Sequence, residues 1–284
     1  MRDFPANADY EGTVVLLKVL REHDVKATFG IVGQAALPGE PPDHCQDQIR
    51  TLYCAGHEIA SHSMTHRFLP PMRDDELLEE VILSKQSLEA CIDASVQGFI
   101  PPFNRPSHFP RGGAFSISEV FGLNGRGRGR QSIDTMLRTL SAAGYGWSRV
   151  SFQNKFCQLG LRLGARVERP PMQPFIYHDM VAIPLHQTGF GPAALKLIRR
   201  WLNTDIILTL YGHPNQAFSA NGQNARELDW LLYELRSERN EGRLEFNTMG
   251  EITMLARAGC ADASREMSVR KRQKAARNEN ERLA

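Results

Sequence analysis

Between Glu11 and Glu22, the residues Val14, Leu16, Leu17, Val19 and Leu20 fall at near-helical spacing. His23-Asp24-Val25-Lys26 then breaks the pattern ahead of the apolar run from Ala27 to Gly33. That combination predicts a helix feeding a short buried strand. The same alternation recurs downstream. A Pro-rich loop over residues 37–43 precedes a helix from Gln46 to Cys54 and a strand from Gly56 to His62. An amphipathic helix from Asp74 to Cys91 follows, opened by two aspartates that suit the positive end of its dipole, and then a strand from Val96 to Ile100 that Pro101-Pro102 ends. Further on, the pattern predicts helices over 133–143, 193–201, 225–236 and 251–258, and strands over 146–152, 180–185, 205–210 and 244–247.

Strands alternating with helices imply a parallel sheet with helical crossovers, and a chain of 284 residues is long enough to close such a sheet into a barrel. From Asn104 to Arg130 the composition turns to Pro, Gly, Ser and Arg, which predicts a long surface excursion. Beyond Ala263 the chain is polar and mostly basic. The organisation expected is one domain over residues 1–262 and a tail over residues 263–284. Met1-Arg2-Asp3-Phe4-Pro5 runs straight into loop-like residues, so the expected barrel lacks its first strand at this end, with an upstream segment missing.

Composition narrows the partners. The 34 basic and 32 acidic side chains nearly cancel, which argues against recruitment of nucleic acid or an anionic membrane by a global field. The Arg-rich stretches at residues 125–130 and 268–277 read as solvated surface. No apolar run approaches the roughly 20 residues that span a bilayer. Five scattered cysteines, an odd count, argue against a disulfide framework. As given, the chain is expected to be cytoplasmic, with any export signal lying upstream.

The chemistry concentrates in His62-Ser63-Met64-Thr65-His66, where two imidazoles four positions apart can reach one divalent ion from a single helical turn. Neutral imidazole suits zinc, and Co, Ni or Fe also fit. His57 reads as a core histidine, and His108, His178 and His186 as loop or strand-end residues.

The run from Gly56 to His66 resembles the metal-binding segment of the polysaccharide deacetylases, carbohydrate esterase family 4, in which a Gly-His-Glu-like strand leads into His-Ser/Thr-x-x-His. Further stretches resemble that family in the correct order: residues 25–29, 99–104, 144–147, 208–214 and 246–252, so that the likeness runs from about residue 3 to residue 258. It implies a distorted (β/α) barrel of parallel strands that removes N- or O-acetyl groups from a sugar or glycan with a bound metal. It further implies Asp3, with Asp9 as the fallback, as a carboxylate ligand beside His62 and His66. His213 would be the acid that protonates the leaving amine, and Phe103, Asn104 and Trp147 would wall a sugar groove, unless the two rings belong to the core. Two positions depart from the family. Arg2 stands where its catalytic base is expected, and Ile100 where its third motif carries an arginine. Those departures bring in one rival reading, an inactive metal-retaining glycan-binding module; another, an allantoinase-like hydrolase of a non-sugar amide, follows from such relatives of the family.

Overall fold

The computed structural model describes residues 8–108, 121–122, 129–152, 173–220 and 222–259. Its main sheet has six strands: β1 (Thr28–Ile31), β2 (Glu58–Ser61), β3 (Gly98–Phe99), β4 (Trp147–Val150), β5 (Phe175–Tyr177) and β6 (Met180–Pro184). They lie in the order β1-β2-β3-β4-β6-β5, parallel except for β5, which runs antiparallel to β6. A second, two-stranded parallel sheet pairs β7 (Gln187–Thr188) with β8 (Leu210–Tyr211). This is the expected α/β architecture, mostly parallel. Among the described residues the two sheets do not join into a closed cylinder.

Helices Ala8–Glu22, Gln46–Cys54, Asp74–Ile92 and Ile133–Ala142 supply the crossovers. The largest core cluster buries Leu77, Val81 and Leu88 of the third helix against Phe99 and against Met136 and Leu137 of the fourth. On the opposite face of the sheet Ala60, Ile100, Trp147, Val181 and Ile183 form a separate cluster, against which Met249, Ile252 and Ala256 of the last helix pack. Gly98 makes that packing possible, since a Cβ there would lie 2.0 Å from the Trp147 ring.

Three expectations are corrected. Residues 244–247 form no strand. Of the expected strand over 205–210 only Leu210 is paired, continuing into Tyr211. The antiparallel β5–β6 hairpin was not anticipated. It turns at His178 and Asp179, both at positive φ (49° and 61°), the geometry of a two-residue hairpin turn that is more often signalled by Asn-Gly. Among the described residues, no strand precedes Ala8–Glu22 and no helix is long and apolar enough to cross a membrane. The expected missing first strand, Arg2, Asp3, the residues 125–128 and the tail from 263 lie outside the described residues.

Candidate functional site

Sheet register builds the site. Ser61 pairs with both Ile31 and Phe99, Phe99 pairs with Ser148, and Arg149 pairs with Ile183. The next residues along therefore stand side by side at the C-terminal edge: His62, Ile100 and Arg149. The ladder continues into this row, with His62 N donating to Ile31 O (2.8 Å) and Ile100 N to Ser61 O (2.8 Å). The C-terminal edge of parallel strands is where α/β folds gather loops and hence chemistry.

The two histidines do not share a helical turn, which corrects the expectation. Residues 62–66 form a loop in which Ser63 (φ 64°) and His66 (φ 56°) are left-handed. The loop is nevertheless firmly held. Ser63 O accepts from Gly33 N (2.9 Å) and from Ser84 Oγ (3.0 Å). Thr65 donates from both N and Oγ1 to Glu80 Oε1, at 2.7 and 2.8 Å. His66 N donates to Ser63 Oγ at 3.0 Å. This scaffold brings the rings of His62 and His66 to 4.8 Å between centroids.

His62 Nδ1 donates to the Ile100 carbonyl (2.6 Å), which fixes the tautomer and leaves Nε2 with its lone pair. A ligand histidine is typically oriented in this way by a backbone carbonyl. Burial, reinforced by the neighbouring cations, pushes the His62 pKa down to about 3, so the ring is neutral at ordinary pH. Burial and the proximity of His213 lower His66 as well. Two imidazoles with lowered pKa, one of them with an oriented lone pair, fit a divalent ion. Among the described residues no third His, Cys, Asp or Glu completes a set of three. Asp9 lies close enough to raise His66 slightly, and its carboxylate accepts from Asn215 N (3.1 Å) and Nδ2 (3.4 Å).

His213 follows β8 and is exposed, near both histidines. Its Nδ1 donates to Gln223 Oε1 (3.0 Å), which leaves Nε2 to face a ligand. The first helix closes tightly on this corner, because Gly12 has no side chain: a Cβ there would lie 1.9 Å from Pro214 O.

The groove residues divide. Phe103 is 44% exposed, at φ 58°, with its ring 4.8 Å from that of His66. Asn104 commits both ends of its amide. Nδ2 donates to the Tyr211 hydroxyl (3.0 Å) and Oδ1 accepts from Arg149 Nη2. Trp147 is fully buried, its Nε1 donating to Glu58 Oε1 (2.9 Å), so it offers no ring face to a sugar. The core alternative is the correct one for this ring, since its position on β4 points it into the sheet face that the last helix covers. His57 is likewise core, 4% exposed, with Nδ1 accepting from Ala27 N (3.1 Å).

Arg149, Tyr211, Gln223 and Glu80 were not anticipated. Arg149 had a signal in the sequence, an arginine inside the strand expected over residues 146–152, and the structure buries all of Trp147–Val150. Its guanidinium lies 4.7 Å from the centre of the Tyr211 ring. Burial lowers its pKa to about 10, which still leaves it cationic at neutral pH. In the row at the sheet edge it stands next to Ile100, the position where an arginine was expected.

Residues 5–108 match the family model for polysaccharide deacetylase. A peptidoglycan-N-acetylglucosamine deacetylase of Bacillus cereus is 28% identical over 105 residues, 37% of this chain and 34% of its own length. A chitooligosaccharide deacetylase of Sinorhizobium fredii is 35% identical over 92 residues, 32% of this chain and 40% of its own length. The matched stretch thus spans well under half of each relative. Among solved structures, a Mycobacterium smegmatis protein assigned as a polysaccharide deacetylase aligns with a TM-score of 0.59 at 18% identity, over 89% of this chain and 79% of that one. Puue allantoinase aligns with a TM-score of 0.55 at 13% identity, over 86% and 71%. These two establish the fold as that of a distorted barrel.

Proposed function

We propose, from the match of residues 5–108 to the polysaccharide deacetylase family model, that the chain is a metal-dependent hydrolase that removes acetyl groups from a sugar or glycan. The observation that carries the reading is the His62–His66 pair at the edge of the sheet. The Nε2 lone pair on His62 is freed by the bond from Nδ1 to Ile100 O, and His213 lies nearby, just after β8. His62 and His66 would hold the ion, with Asp3 as the carboxylate that the family resemblance implies. The ion, zinc or alternatively Co, Ni or Fe, would supply a Lewis acid that acidifies water and polarises the acyl carbonyl.

The chain's own groups do the rest. The neutral state of His62 keeps its lone pair available at any pH well above 3. Ser63, Thr65 and Glu80 fix the loop, so no ordering entropy is spent on bringing His66 to its place. His213, whose Nδ1–H is held by Gln223, would take up at Nε2 the proton released by the attacking water and pass it to the leaving amine. The exposed Phe103 ring gives a flat apolar surface for a sugar beside His66. Asn104 orients Arg149 and Tyr211 rather than reading substrate hydroxyls directly. The catalytic domain on this reading is residues 1–262, with residues 263–284 as an appended tail, and the partner is an acetylated sugar rather than a nucleic acid.

The test is acetate release from a panel of acetylated sugars and short chitin and peptidoglycan fragments, for the full chain and for His62→Ala and His213→Ala. Release that both substitutions abolish supports the hydrolase; bound metal without release from any of the panel overturns it.

A further inference from the structure

Among the described residues, Arg149 is a buried cation without a counter-charge. Its side chain is 6% exposed, and among the described residues no carboxylate reaches it. Its hydrogen bond goes to the neutral Asn104 Oδ1, and Nε is buried with no acceptor. Around it are neutral or repulsive groups. His62 stands in the same row at the edge of the sheet, and Tyr211 lies beneath the guanidinium. The Tyr211 hydroxyl accepts from Asn104 Nδ2, so its own proton is left to be donated elsewhere. Two donors without an acceptor among the described residues, a guanidinium Nε–H and a phenolic O–H, therefore lie on either side of Asn104, and the guanidinium is close to His62.

A buried charge of this kind is tolerated where an opposite charge joins it. A planar anion suits a guanidinium fork best, because two of its oxygens can be met at once. We propose that Arg149 and Tyr211 form a carboxylate-binding subsite, so that the substrate is an acetylated sugar bearing a carboxylate close to the acyl group that is removed. This inference rests on the hydrolase reading for its reaction but not for its binding chemistry. Because Arg149 is buried, an uncharged analogue would leave its guanidinium without a counter-charge, which makes that analogue a poor substitute.

The test is equilibrium binding by calorimetry of the full chain, using two acid and methyl-ester pairs derived from N-acetylglucosamine. One pair carries the carboxylate at C6, and the other carries it on an ether at C3. At least one acid is expected to bind at least about tenfold more tightly than its ester. Arg149→Gln should abolish that preference, Tyr211→Phe should reduce it, and Arg149→Lys should retain part of it. The preference of the unmodified chain needs no variant, so a misfolded Arg149→Gln does not spare the proposal. Absence of preference in both pairs, or a preference that survives in a folded Arg149→Gln, overturns it. Preferential binding without acetate release would sustain the subsite and sink the hydrolase; release from neutral sugars without preference would do the reverse.

Discussion

Trp147 donates its indole N–H to Glu58 across 2.9 Å, joining the start of β4 to the start of β2 over the intervening strand β3. Glu58 also accepts from Thr28 Oγ1 (2.6 Å) and from Gly250 N (2.8 Å), so one carboxylate ties two strands to the first turn of the last helix. Burial raises its pKa, against the pull of these donors. Replacing Trp147 with Phe removes one donor from a half-buried acceptor and is expected to cost about 1–3 kcal/mol of stability in denaturant melts. Sugar binding should be unchanged. A selective loss of binding with normal stability would return Trp147 to the groove.

His213→Ala is expected to lower kcat by about 10²–10⁴-fold, the usual share of a general acid, with metal content intact. Gln223→Ala should give a smaller loss of the same kind, since it removes only the group that orients the ring. Rates measured alongside elemental analysis check both; loss of metal in His213→Ala would make it a ligand instead of an acid.

How much of this was legible in the sequence depends on the range of the interactions. The helix Gln46–Cys54 and the closeness of the His62 and His66 rings could be read locally, because periodicity and spacing are local signals. The loop geometry at Ser63 and His66 could not, since it is imposed by Gly33, Ser84 and Glu80 from other elements. Trp147 and Arg149 show the limit most clearly. Both lie on one face of β4, but which is core and which reaches the site depends on where that strand ends and on the helix over residues 249–259. A strand pattern gives the face and leaves the depth open.

Glu80 touches no candidate ligand, but it holds Thr65, the residue before His66. Glu80→Ala is therefore expected to weaken metal affinity by about 10–100-fold, as loss of a supporting residue behind a ligand commonly does. Competition with a chromogenic chelator measures this, and an unchanged affinity would show that the loop needs no such support.

The metal-free chain should lose stability on acidification. His62 has a folded pKa of about 3, against an ordinary value near 6.5. Between these two values the unfolded chain binds a proton that the folded chain refuses. The contribution is thus fully present above about pH 6.5 and is lost progressively as the pH falls toward 3, by at most ~1.4 kcal/mol per pH unit. His62→Gln should flatten this part of a plot of melting temperature against pH; an equally steep plot for the variant would assign the loss to other groups.

The central claim is that metal at His62 and His66 drives removal of acetyl groups. Acetate release from acetylated chitooligosaccharides by the full chain, after chelation and again after addition of zinc, tests it most directly. The account predicts that chelation stops release and that zinc restores it. Release that continues undiminished after chelation, or none from the zinc-saturated chain, would contradict it.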